Sequence, residues 1–218
     1  TCPTFVLLGD ELDSPRGRIY LIKDMLENEK PATDKVVKHI DRCLSCLSCM
    51  TTCPSGVHYQ HLVDHARAYI EATYTRPWHD RALRWLLCQL IPRPSLFRWS
   101  LRGAKLARPV KGLFRGRMRA MLELAPRELP APSPVDRPQV VPAEGERRAR
   151  VAILTGCAQQ VLDTRINEAT VRVLTRHGVE VVVADGMGCC GSMVHHLGKV
   201  ETSHRQAAAN VEAWWRET

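Results

Sequence analysis

Four cysteines within eleven consecutive residues constrain this chain more than any other feature: Cys43-x₂-Cys46-x₂-Cys49-x₃-Cys53-Pro54. Two-residue gaps let three thiolates from one tight loop reach three corners of a cubane, and the proline then turns the chain away. Zinc sites also use Cys-x₂-Cys pairs. Cysteines at i, i+3 and i+6, with a fourth at i+10 before proline, fit a [4Fe–4S] cluster better. The fourth cysteine of such a run serves the other cluster of a two-cluster protein. Cys2-Pro3 repeats the Cys-Pro ending near the start of the chain. Under ligand interchange, Cys2 completes the cluster of Cys43, Cys46 and Cys49. Cys53 then belongs to a second cluster whose other ligands precede Thr1.

The chain has 218 residues and nine cysteines, six of them in two tight groups. Clustering of this kind differs from a secreted disulfide scaffold, whose cysteines are spread along a smaller chain. The opening residues lack a basic start followed by an apolar stretch, and no apolar run is long enough to span a bilayer. Metal ligation in a reducing, cytoplasmic compartment is the expectation. The chain starts at Thr1-Cys2-Pro3 without Met and ends inside a helical pattern at Trp214-Trp215. It is therefore read as a fragment.

Residues 1–75 read as helices around the cysteine loop. Ser14-Pro15 opens one helix, with an apolar stripe of Ile19, Ile22, Met25 and Leu26, and Pro31 stops it. Thr33 caps a second helix with Val36, Val37 and Ile40 inside. Ser55 is the expected cap of a third, with Leu62, Val63, Ala66, Tyr69 and Ile70 apolar. His58, His61 and His65 share one face of it, a polar face beside the cluster.

Residues 76–125 form a basic segment. Between 76 and 119 there are twelve Lys or Arg against one acid, Asp80, a net +11 where the whole chain carries +8. Prolines 77, 92, 94 and 109 divide it into short amphipathic helices, with Leu83, Leu86, Leu87 and Leu90 on one face of the first. Trp78, Trp85, Phe97, Trp99 and Phe114 are interleaved with arginines, and Cys88 sits among leucines as a core residue. Such a block suits an anionic membrane surface or an acidic partner subunit. Nothing in it resembles a nucleic-acid-binding fold. Residues 126–148, with six prolines, read as a stiffened linker.

From 149 onward the pattern changes class. Val151–Leu154 reads as a buried strand ending at Gly156-Cys157. Residues 160–177 read as a helix closed by Gly178, and Val179–Val183 as a second strand. Gly188-Cys189-Cys190-Gly191 and a helix from about 199 follow. This implies a right-handed parallel unit, whose ligands sit at the carboxyl ends of its strands. Cys157, Cys189 and Cys190 all fall there, and three thiols suit a metal or redox centre. Buried, packed thiols are the plainer alternative. His195 or His196 is a candidate ligand, proton donor or hydrogen-bond partner, with helix-cap or surface roles as the alternative.

Together these residues resemble the iron–sulfur subunit of bacterial glycolate oxidase (glycolate dehydrogenase). Cys2-Pro3-Thr4 and the run from Gly9 to Tyr20 look like the stretch after that family's first ferredoxin motif. Cys43–Pro54 looks like its second motif. Thr155-Gly156-Cys157, Gly188-Cys189-Cys190-Gly191 and His195-His196 look like the first half of its cysteine-rich CCG domain. That domain is shared with heterodisulfide reductases and anaerobic glycerol-3-phosphate dehydrogenase. The first three cysteines of the first motif are absent, and the second CCG pair would lie beyond Thr218. The resemblance implies an α plus α/β fold: a helical [4Fe–4S] ferredoxin domain at 1–75, basic helices at 76–125, the linker, and a partial CCG domain at 149–218. It implies a subunit that takes electrons from FAD-containing subunits oxidising glycolate and passes them toward a quinone-type acceptor. Lactate or glycerol-3-phosphate oxidation and heterodisulfide-type reduction are the alternatives. The basic segment would associate with the inner face of the plasma membrane.

Overall fold

Helix α1 (Pro3–Leu8) begins at the Cys2-Pro3 step and runs into a 3₁₀ turn at Glu11–Asp13. Helix α2 (Pro15–Glu27) starts where the Ser14 hydroxyl accepts the Gly17 N–H at 3.0 Å and Pro15 occupies the first turn. A Cβ on Gly17 would stand 2.2 Å from the Glu11 carbonyl oxygen. Glycine thus lets α2 lie directly on the 3₁₀ turn and brings Asp13 against Arg18. The computed structural model describes residues 2–217; Thr1 and Thr218, the outermost residues of the first and last expected domains, lie outside them.

Thr33 accepts from the Val36 N–H and opens α3 (Asp34–Asp41). One turn, α4 (Ser48–Thr51), lies in the cysteine loop, and α5 (Tyr59–Thr73) follows. The expected cap at Ser55 is corrected by three residues, to His58. Cys53–Gly56 close a turn of their own, with the Gly56 N–H on the Cys53 carbonyl, so the helix starts only after His58. The stripe expected on α2 is also rotated. Its buried face is Arg18, Leu21, Ile22 and Met25, while Ile19 and Leu26 are partly buried at its edges. These side chains pack with Val36, Val37 and Ile40 of α3 and with Val63, Ala66 and Ile70 of α5. Each large apolar side chain so buried contributes about 1.5–3 kcal/mol. Cys43, Leu47, Cys49 and Met50 rest on this core, which fixes the base of the cysteine loop.

The basic stretch forms α6 (Trp78–Leu90), α7 (Pro94–Ala107), a 3₁₀ segment at Arg108–Leu113 and α8 (Gly116–Leu124). Prolines 77 and 94 stand at the starts of α6 and α7, where a missing N–H costs nothing. Three strands follow: β1 (Gln139–Val141), β2 (Ala149–Ala152) and, after the short α9 (Gln159–Leu162) and α10 (Arg165–Arg176), β3 (Val179–Val183). The sheet order is β1-β3-β2, with β2 parallel and β1 antiparallel to β3. Val181, Val182 and Val183 are buried, as expected for a central strand. β2 begins two residues earlier than the sequence suggested and, lying at the sheet edge, is exposed or half-buried where a buried strand was expected; the Ile153 N–H continues its ladder to the Val182 carbonyl. The stretch read as one linker contains β1, held between Pro138 and Pro142. Three residues are too few to show a strand period, and flanking prolines suit an edge strand. The last helices are α11 (Ser192–His196) and α12 (Val200–Trp215).

Two compact units result. One comprises residues up to Ala82 together with Ser192–Ser203; the other comprises Leu83–Gly191 and the residues from His204 onward. The first is helical and the second carries the sheet, an α plus α/β architecture. The segment after the second cysteine group thus belongs to the helical unit.

Candidate metal centre

Cys43 follows α3 directly, and its N–H bonds the Ile40 carbonyl at 3.1 Å. The loop then turns back on itself through two left-handed residues, Ser45 (φ 52°) and Leu47 (φ 56°). Such backbone costs a non-glycine residue roughly 1–3 kcal/mol. Buried Arg67 on α5 offsets this by clamping the loop: one nitrogen donates to the Cys43 carbonyl at 2.7 Å, the other to Ser45 Oγ at 2.5 Å. Leu47 adds its packing against the core.

Cys2, Cys43, Cys46 and Cys49 line one cavity. Cys46 is exposed, and its thiol is drawn below its ordinary value by the Ser48 N–H and hydroxyl. Burial, then the Cys43 thiol, push Cys49 upward. Each of these thiols also acts electrostatically on Cys49. Tyr59, buried below, donates to Cys43 Sγ at 3.5 Å, and burial raises its own phenol strongly. The donor set is four soft thiols around one space, with backbone N–H groups and hydroxyls facing the sulfurs. That chemistry fits an iron–sulfur cluster. Cys53 is not among the lining residues. Its thiol sits against the N–H groups of Val57, Ser55 and Gly56, which lower its pKa.

Behind Cys2 lies a charged network that sequence reading missed. Arg18, Asp13 and His39 are 1%, 0% and 2% exposed. Arg18 donates through Nε to the His39 carbonyl (2.8 Å), through Nη2 to Thr4 Oγ1 (2.8 Å) and Asp13 Oδ1 (3.3 Å), and through Nη1 to Cys2 Sγ (3.4 Å). Asp13 also accepts from His39 Nδ1 at 2.9 Å and Arg42 at 2.8 Å. Burial raises the Cys2 pKa, but hydrogen bonds led by Thr4, with Arg18 among them, bring it below its ordinary value. Ligand atoms of Asp10, Asp13 and His39 lie within 4.8 Å of one another, as a cation site would require. Both Asp13 oxygens already face arginines, so the cluster of groups is an ion-pair network. Its signal in the sequence was an arginine four residues before Ile22, on the buried stripe.

In the sheet-bearing unit, Cys157 follows β2 and Cys189 follows β3. The Cys189 thiol reaches Cys157 Sγ at 3.6 Å. That hydrogen bond, opposed by burial, lowers Cys157 to about 7, while Cys189 is pushed up. Asn210 on α12 fixes the loop, accepting from the Gly188 N–H at 2.9 Å and donating to the Cys189 carbonyl at 3.0 Å. Cys189 is buried and its neighbour Cys190 exposed, so the adjacent thiols face different surroundings. Cys157 and Cys189 line a second cavity, from whose lining Cys190 is absent.

His195 and His196 sit in the helical unit. His195 Nε2 is 3.2 Å from Asp64 on α5, and His196 Nδ1 is 3.4 Å from Arg67. Burial, then the Arg67 charge, lower the His196 pKa. The rings of His58 and His61 are 6.1 Å apart, and His61 and His65 are exposed. Cys88 is half-buried.

Comparison with known proteins finds matches for two stretches of the chain. Residues 1–58 match the family model described as "4Fe-4S dicluster domain", and residues 151–218 match "Cysteine-rich domain". The chain is 43% identical over 216 residues to the glycolate oxidase iron-sulfur subunit of Escherichia coli K12, covering 99% of this chain and 49% of that one. It is 28% identical over 227 residues to the probable glycolate oxidase iron-sulfur subunit of Bacillus subtilis, covering 98% and 51%. An uncharacterized iron-sulfur protein of Methanococcus maripaludis is 34% identical over 65 residues, 30% of this chain and 13% of its own. No solved structure matches. The chain spans about half the length of the first two relatives.

Proposed function

We propose that this chain, similar over nearly its whole length to glycolate oxidase iron–sulfur subunits, is the electron-transfer subunit of a flavin-dependent glycolate dehydrogenase. It relays electrons from an FAD subunit, where glycolate is oxidised, toward a quinone-type acceptor. One observation carries this reading: four thiols line a single cavity inside the stretch that matches an iron–sulfur domain. When bound, a [4Fe–4S] cluster supplies one-electron uptake and release. Cys2, Cys43, Cys46 and Cys49 hold it. Arg67 keeps their loop in its left-handed turns, and Tyr59 directs its hydroxyl at Cys43. Cys53 serves a second cluster, and Cys157, Cys189 and Cys190 contribute to a further centre. The chain works in the reducing cytoplasm, consistent with nine thiols and no disulfide among the described residues.

Chain purified without oxygen is expected to carry about four irons and four acid-labile sulfides per retained cluster. Its broad visible absorption should bleach on adding glycolate and the flavoprotein subunits. Zinc in place of iron, or bare thiols, would remove the electron-transfer role. Iron with no glycolate-dependent bleaching would remove the substrate assignment alone.

The basic segment is assigned to an anionic membrane surface. Leu106, Leu113 and Leu124 are 83%, 83% and 84% exposed among Lys105, Arg108, Lys111, Arg115, Arg117 and Arg119. A cation near an anionic leaflet contributes about 1 kcal/mol, and exposed leucines can enter the headgroup boundary. No helix among the described residues is long and apolar enough to cross a membrane. Co-sedimentation with phosphatidylserine-containing vesicles should be strong at low salt. It should be lost on neutral vesicles and weakened at least tenfold by Leu106→Ser with Leu113→Ser. Equal binding to neutral and anionic vesicles, or none to either, would leave an acidic protein as the partner.

A further inference from the structure

Arg18 is almost wholly buried, so each of its donors must find a partner inside the protein. Its fork is saturated on three sides by Thr4, Asp13 and the His39 carbonyl, and the remaining nitrogen points at Cys2 Sγ from 3.4 Å. Asp13, gripped in turn by His39 and Arg42, prevents the guanidinium from turning away.

We infer that Arg18 sets the reduction potential of the cluster bound through Cys2, holding it higher than the thiolates alone would. This rests on the reading of Cys2 as a cluster ligand. Reduction adds one electron, and the extra negative charge spreads over the cluster and its sulfurs. A charge-assisted N–H···S bond stabilises the reduced state more than the oxidised one. Because the guanidinium is buried, water does not screen it. Asp13 cancels much of its long-range field, so the directed hydrogen bond carries the effect. Arg18 is thus a positioning and tuning residue; it exchanges no electron itself.

The test is a potentiometric titration of the anaerobic chain followed by EPR of the reduced cluster. At the wild-type midpoint, Arg18→Gln is expected to lower the ratio of reduced to oxidised cluster at least tenfold, which is about 59 mV for one electron. Arg42→Gln removes a charge from the same carboxylate but no bond to sulfur, and should shift the ratio much less. An unmoved Arg18→Gln midpoint, or an equal shift in Arg42→Gln, overturns the inference. If Arg18→Gln assembles no cluster, Arg18→Lys decides: a threefold or larger shift in the same direction supports the inference, and none overturns it. A further readout needs no variant. With guanidino-¹⁵N arginine, pulsed EPR of the reduced wild-type chain should show a weakly coupled nitrogen, and its absence overturns the inference. Failure of the parent reading looks different: the wild type holds no cluster, or Cys2→Ala keeps one of unchanged potential.

Discussion

Cys2→Ala should empty the chain of its retained cluster, whereas Cys53→Ala should leave iron, sulfide and EPR signal within about twofold of wild type. Cys53 lies four residues from Cys49, where the fourth cysteine of such a run is expected to serve another cluster. Cys2 joins Cys43, Cys46 and Cys49 around the cavity, brought there by the seating of α1 and α2 on the 3₁₀ turn. Cys53 faces the N–H groups of its own turn. A cubane with three thiolates and an open iron loses that iron readily in air, so the contrast should be sharpest after brief oxygen exposure. Iron and sulfide analysis of both variants, purified side by side, checks it. The reverse ranking would give the fourth position to Cys53.

The second large effect is expected at Asp13. Its carboxylate is fully buried and ion-paired with Arg18 and Arg42, and it accepts from His39. Removing one partner of a buried pair strands the other charge and costs about 3–5 kcal/mol. Asp13→Ala should therefore lower the urea midpoint of the anaerobic chain by the amount that such a loss implies. A loss below about 1 kcal/mol would mean that the network is solvated or replaceable. The pH dependence gives an independent check. Burial raises the Asp13 pKa, but His39 and Arg42 outweigh it, and the folded value is depressed. The unfolded value is about 3.9. Stability from this group is thus present above about pH 4 and is lost as pH falls through the folded pKa. The gap between wild type and Asp13→Asn should narrow over that acid range.

What could be read from the sequence was what neighbouring residues decide among themselves. The cysteine loop was legible because ligand spacing is local chemistry. So were the Ser14 and Thr33 caps and the β2–β3 pair, which show as hydroxyls before apolar stripes and as short apolar runs. The Arg18 network was not legible. Its members, residues 13, 18, 39 and 42, come from a 3₁₀ turn and two helices and meet only after the helices pack. A charged residue on an apolar stripe reads as an interruption until its partners are known. β1 was hidden for another reason, being three residues between prolines whose strand character comes wholly from its pairing with β3. His195 and His196 were placed by sequence near the cysteines they follow. Their partners are Asp64 and Arg67, on a helix far back along the chain.

That last separation has a consequence for how the protein is made. Arg67 and His196 are 129 residues apart, yet they meet on the same face of α5. Translation proceeds at about 5–20 residues per second, and early segments fold as they emerge. α5 leaves the ribosome many seconds before the helix that joins it. Through that interval Asp64 and Arg67 wait for their histidine contacts, so the packing of the helical unit is completed only after α11 has emerged.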